Sequence, residues 1–134
     1  MHAEKPFIEI SVGRANPSEL PIVLRIYAEQ EGKLNNVGCH NTWVGRNSAG
    51  LVIAAVTTEE VKLGWISLRT DGVDPAFERQ GVGSQLIIGV LEGLRKMGYR
   101  TVTVDLPTYK PSQEGFYKTL GFKRLDPESM VLHL

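Results

Sequence analysis

Apolar residues recur along this chain with two different periods, and the switches between them divide it into elements. Residues 7–12 alternate apolar and polar as a short strand. Asn16-Pro17-Ser18-Glu19 is a helix-start signal. Asn16 can cap, Pro17 fits the first turn with its missing N–H, and Glu19 stands three residues on, where its carboxylate can reach back. Leu20, Val23, Leu24 and Tyr27 follow at helical spacing, and Gly32 closes that segment. Residues 35–41 read as loop. The stretches 42–46 and 51–57, separated by Asn47-Ser48-Ala49-Gly50, predict a hairpin, and a third strand, 64–73, follows the polar Thr58-Glu59-Glu60.

The second half opens with a loop, 76–80, and Gly81-Val82-Gly83-Ser84 leading into a second helix. Its apolar stripe is Leu86, Ile87, Val90, Leu91, Leu94 and Met97, with Gly98 as its stop. A β-branched strand, 101–106, ends at Pro107 and Pro111. A short helix, 113–120, ends at Gly121, and 122–125 with 130–134 make a last strand pair. The order strand, helix, three strands, helix, strand, helix, strands predicts a mixed α/β sandwich without repeats or linkers.

Length and charge narrow the function. With 134 residues the chain can bury one core, so a single domain over 1–134 is expected. Its 15 basic residues balance 15 acidic ones, which removes the global attraction that a nucleic-acid binder relies on. Cys39 is the one cysteine, so neither an intrachain disulfide nor a cysteine-based zinc cluster can form. No stretch approaches the ~20 apolar residues of a spanning helix, and the opening residues lack the apolar run of a signal peptide. The expectation is a cytoplasmic protein with no metal, nucleic-acid or membrane partner.

The most informative segment runs from Val73 to Leu86. A helix beginning near Gly81 presents unpaired backbone N–H groups and the positive end of its dipole, which makes an anion site. Glycines at 81 and 83 let a phosphate approach without a Cβ in the way and free the backbone conformations that turn N–H groups inward. For two glycines alone, a helix start without any ligand is the commoner explanation. A Walker loop is excluded, because Ser84-Gln85 stands where Lys and Ser or Thr would be required. A dinucleotide fingerprint is excluded too, since Leu86 occupies the third small position and the loop is too long, although Asp105 lies at about the right distance.

Val73-Asp74-Pro75 followed by Gly81-Val82-Gly83 resembles the coenzyme A loop of the Gcn5-related N-acetyltransferase (GNAT) superfamily, a strand ending in Val-x-Pro and then Gln/Arg-x-x-Gly-x-Gly/Ala. The first position of that pattern is Glu78, a departure, with Arg79 and Gln80 directly after it. A separate resemblance lies in Phe116-Tyr117-Lys118-Thr119-Leu120-Gly121-Phe122, the family's closing Phe-Tyr-x-x-Leu-Gly-Phe; the Asn and Ala of its fuller form fall on Lys110 and Gln113.

The resemblance implies a mostly antiparallel mixed sheet flanked by helices, with strands splayed at a cofactor cleft. It implies acetyl-coenzyme A as co-substrate, bound by Val73, Arg79, Gln80, Gly81, Val82, Gly83 and Ser84. Tyr117 would protonate the departing thiolate, for which a phenol titrating near ~10 is a suitable acid. The implied reaction is acetyl transfer to a primary amine, on a small molecule or a peptide end, by direct attack without a covalent enzyme intermediate. A non-catalytic acyl-coenzyme A binding or regulatory domain on the same fold is the alternative. The general base is open: on the strand 64–73, Asp71 is the one carboxylate in the row Ser67, Arg69, Asp71, Val73. The apolar stretch 130–134 lacks edge-protecting Lys or Pro, and a homodimer through the sheet edge or this last strand is expected. Cys39 beside His40 reads as structural, and Trp43 and Trp65 as core or rim aromatics.

Overall fold

A computed structural model of the chain describes residues 7–29, 36–106 and 112–134. The elements are β1 (Ser11–Arg14), α1 (Leu20–Glu29), β2 (Thr42–Arg46), β3 (Val52–Lys62), β4 (Trp65–Val73), α2 (Val82–Lys96), β5 (Thr101–Asp105), α3 (Ser112–Thr119), β6 (Lys123–Asp126) and β7 (Ser129–His133). The strands form one seven-stranded sheet in the order β1-β2-β3-β4-β5-β7-β6. The mixed α/β class is therefore as the sequence predicts. Two compact units divide the chain, one made of the described residues up to Thr57 with Thr70–Val90, the other of Thr58–Arg69 with Leu91–Leu134.

In the first unit β1, β2 and β3 pair antiparallel, from Ser11↔Arg46 to Arg14↔Trp43 and from Thr42↔Thr57 onward. The Asn16 signal works as read, with a difference in detail. Asn16 Oδ1 accepts from Glu19 N at 3.2 Å and Glu19 Oε1 accepts from Asn16 N at 3.0 Å, but the turn they cap, Pro17–Glu19, is a 3-10 turn leading into α1. Arg46 on β2 then donates to both Glu19 oxygens at 2.7 Å, which holds that carboxyl below its usual range. Val23, Ile26 and Tyr27 of α1 are buried with Val44, Val52 and Ala55, whereas Leu24 faces outward. The predicted close of this helix at Gly32 lies outside the described residues.

Two boundaries differ from the sequence reading. The chain at 7–10 is not strand, because its backbone partners are supplied by the loop at Gln80 and by a side chain, Gln85. Thr58-Glu59-Glu60 is not a break: β3 continues through it to Lys62, and the reversal comes at Leu63-Gly64, where Gly64 has φ +78°.

In the second unit β4 and β5 are parallel, β5 and β7 antiparallel, and β6 and β7 antiparallel. The stretch 130–134 is thus no sheet edge, since β7 lies between β5 and β6; the outer strand is β6, Lys-Arg-Leu-Asp, with every residue exposed. The apolar-edge argument for a dimer falls with that placement. On α2, Leu86, Ile87, Val90, Leu91 and Leu94 are buried as the stripe requires, but Met97 lies past the helix end and is 52% exposed.

Candidate functional site

β4 ends at Val73, and the next residue reverses the chain. Asp74 N donates to Ile53 O at 2.8 Å while its side chain accepts from Ala76 N at 3.0 Å, which caps the 3-10 turn Pro75–Phe77. Glu78 is extended and half-buried; Arg79 is exposed and left-handed, with φ +60°. Gln80 turns its side-chain amide back to Ala76 O at 3.4 Å. Gly81 is left-handed at φ +79° and Val82 opens α2, a left-to-right alternation of the kind that forms an anion-binding concavity of backbone N–H groups. Ser84 is exposed and Val82 buried.

The two glycines are glycines for different reasons. At Gly81 a Cβ would sit 2.7 Å from the Phe7 ring and would have to tolerate φ +79°, so the fold itself demands the residue. At Gly83 the nearest atom to a Cβ would be Val73 Cγ2 at 4.0 Å, an ordinary contact, and φ is not in the left-handed range. Packing and conformation leave Gly83 unexplained. Space kept open at the positive end of a 15-residue helix suits the phosphates of a bound nucleotide, and the residues present fit that group.

The sequence reading passes over what lies behind this loop. Ile8 N donates to Gln80 O at 3.0 Å, Ile10 N donates to Gln85 Oε1 at 3.0 Å, and Gln85 Nε2 donates to Ile8 O and, at 3.1 Å, to Gly81 O. The available signal was a Gln one helical turn after Gly81, next to the apolar pair Leu86-Ile87.

On β4, Ser67 is buried while Arg69 and Asp71 are exposed. Arg69 pairs with Glu59 at 3.1 Å and with Asp105 at 3.0 Å, so Asp105 is a salt-bridge partner. The β4–β5 register runs from Trp65↔Thr101 to Leu68↔Val104, although β4 itself continues to Val73. Asp71 acts through space on the buried Tyr27 hydroxyl, which bonds Thr57 Oγ1 at 2.9 Å; Thr57 bonds Thr42 Oγ1 at 2.9 Å in turn. Desolvation is the main reason the Tyr27 phenol is pushed far above its ordinary range. Arg14 lies 5.0 Å over the buried Trp43 ring and Lys62 4.0 Å over Trp65, matching the core-or-rim reading of both. Among the described residues no group of three or more His, Cys, Asp or Glu could hold a metal ion, and no helix is long and apolar enough to cross a membrane.

Tyr117 is 6% exposed on α3, with Phe116 and Phe122 edge-on at ring centroids of 5.1 and 5.2 Å. The helix ends as its sequence indicates. Gly121 is left-handed at φ +97°, Gly121 N donates to Lys118 O at 3.0 Å, and Phe122 N donates to Tyr117 O at 3.1 Å. Lys110 and the rest of 107–111 lie outside the described residues.

Comparisons with known proteins bear on the family and the fold. A family model described as an acetyltransferase (GNAT) domain matches residues 25–124. The uncharacterized N-acetyltransferase YvbK of Bacillus subtilis is 22% identical over 85 residues, which cover 63% of this chain and 52% of that protein, so the chain spans about half the length of this curated relative. A Gcn5-related N-acetyltransferase from Kribbella flavida superposes with a TM-score of 0.78 at 14% identity, covering 93% of this chain and 98% of that one. A GNAT family acetyltransferase from Brucella melitensis, solved in complex with acetyl-CoA, superposes with a TM-score of 0.70 at 18% identity, covering 94% and 88%. With the family model spanning most of its length, the chain belongs to the GNAT acetyltransferases.

Proposed function

We propose that the chain is a single N-acetyltransferase domain that moves an acetyl group from acetyl-coenzyme A to a primary amine by direct attack. The observation that carries this reading is Gly83, a glycine that neither packing nor backbone conformation requires, at the start of α2. In the mechanism the N–H groups of Gly81, Val82, Gly83 and Ser84 bind the pyrophosphate, flanked by Val73, Arg79 and Gln80. The amine attacks the thioester carbonyl, the carbon–sulfur bond breaks, and Tyr117 gives its hydroxyl proton to the leaving thiolate. The acceptor amine loses its proton to water or to Asp71. A solved relative bound to acetyl-CoA supports the choice of donor.

Glu78 favours a second reading, a domain that binds acyl-coenzyme A without turnover, because it sets an acid where the family's loop carries Gln or Arg. Two measurements on the purified chain separate them. Acetyl-coenzyme A raises the melting temperature under both readings, by mass action on the folded state. Release of free coenzyme A that depends on an added amine, across a panel of small amines and peptide N-termini, occurs only under the first. An unchanged melting temperature at millimolar acetyl-coenzyme A rejects both.

A further inference from the structure

We infer that Gln85 is a positioning residue for the phosphate loop: with the segment 7–10 it fixes the direction of the Gly81 and Val82 N–H groups. This assignment rests on the acyl-coenzyme A reading above. In a trans peptide the C=O and the following N–H point in opposite directions, so fixing the carbonyl fixes the donor. Both carbonyls in question are tied. Gln80 O accepts from Ile8 N at 3.0 Å, which sends the Gly81 N–H the other way, and Gly81 O accepts from Gln85 Nε2 at 3.1 Å, beside a longer bond from Gln85 N at 3.4 Å, which does the same for Val82.

The remaining bonds of Gln85 make the device one unit. Its amide donates to Ile8 O and accepts from Ile10 N at 3.0 Å, so a side chain supplies 7–10 with backbone partners on either side of Glu9. Phe7 leaves 70% of its surface exposed to lay its ring against Gly81, so close that a Cβ there would sit 2.7 Å away. An exposed phenylalanine spent on a glycine is poor burial but effective restraint on a left-handed residue. Preorganised donors of this kind bind anions without the cost of ordering the loop on ligand arrival.

The test uses the full chain with Gln85→Met, which keeps length and apolar stem but removes every side-chain hydrogen bond, and coenzyme A as the probe. Calorimetric affinity should fall about tenfold, the size expected when charge-assisted hydrogen bonds lose their alignment. In the ligand-free protein, amide exchange at Ile8 and Ile10, whose N–H groups donate to Gln80 O and Gln85 Oε1, should quicken while Val23, Ile26 and Val44 keep the parent's protection, a pattern that a general loss of stability would not give. Phe7→Ala, at an exposed position, serves if Gln85→Met fails to fold. Because both changes release the same segment, the double variant should bind no more weakly than the weaker single one. Equal affinity and equal exchange in the variants, beside a parent that binds coenzyme A, overturns the assignment alone. A parent that does not bind coenzyme A removes the functional reading and this assignment together.

Discussion

The start of α2 and the end of α3 each carry a stretch that matches the same family, yet the structure accounts for them to different degrees. At the end of α3 the aromatics and the glycine of the match each have a local task. Gly121 supplies φ +97°, Phe122 N closes on Tyr117 O, and the Phe122 ring packs edge-on against Tyr117 at 5.2 Å. A helix that must stop and bury an aromatic would look this way in a protein of any function. At the start of α2 the local tasks run out at Gly83, whose Cβ position is open. A residue that the fold does not need points to a ligand more firmly than one that the fold needs anyway, so the binding half of the function stands on better ground than the acid.

The largest expected effect would break that comparison in favour of α3. Tyr117→Phe keeps both ring contacts and removes only the hydroxyl. A tyrosine present only for packing loses about 1 kcal/mol of stability and little turnover. General-acid assistance is worth ~10²- to 10⁴-fold in the chemical step, and that is the loss expected, with acetyl-coenzyme A affinity unchanged. Steady-state transfer on an active amine, beside a thermal titration of affinity, makes the check. A fall of less than threefold with affinity intact makes Tyr117 a core residue.

The glycine contrast comes next and sharpens the α2 side. Gly83→Glu puts a carboxylate where the phosphates are to lie; at ~5 Å and an effective dielectric of ~20 the repulsion is about 3 kcal/mol, on the order of a hundredfold in affinity. Its circular dichroism should stay at the parent's, because the Cβ meets only Val73 Cγ2 at 4.0 Å. Gly81→Ala should do the reverse, losing roughly 1–2 kcal/mol of stability from the left-handed backbone alone, with the Phe7 ring displaced besides. If Gly83→Glu binds coenzyme A like the parent, the anion site is withdrawn.

Much of this was legible in the sequence because local chemistry decides it. Asn16 and Glu19 form their reciprocal cap, Gly98 and Gly121 end their helices with positive φ, and the apolar stripe of α2 is buried from Leu86 to Leu94. What was not legible depends on partners far along the chain. Alternation at 7–12 suggests a strand, but only Gln80 and Gln85, more than seventy residues on, show that 7–10 is bound to a loop instead. The apolar 130–134 gave no sign that β6 would cover one of its sides, since hydrophobicity marks a strand as buried and does not name its neighbours. The role of Arg69 was equally hidden, because Glu59 and Asp105 come to it from two other strands.

The smallest effect supplies the control for Tyr117. Tyr27 is the other tyrosine buried in the described structure, and its hydroxyl is accounted for by Thr57 at 2.9 Å. Tyr27→Phe should cost about 1 kcal/mol near neutral pH, since Thr57 and Thr42 still bond each other at 2.9 Å, and transfer should stay near the parent's. Its pH dependence carries a signature. Burial holds the folded-state phenol far above its ordinary range, whereas in the unfolded chain it ionises near ~10. Above that pH the unfolded state releases a proton that the folded state keeps. The stabilisation from Tyr27 is therefore complete below pH ~10 and is lost as pH rises toward the folded value, with a limiting slope of about 1.4 kcal/mol per unit. Urea unfolding of parent and Tyr27→Phe at pH 8, 10 and 11 should show the gap between them closing at the alkaline end. A gap that stays constant would mean that the folded protein ionises Tyr27 as readily as the unfolded chain does, and the buried hydroxyl chain to Thr57 and Thr42 would then be open to water. Tyr27 would no longer be a purely structural reference against which to read Tyr117.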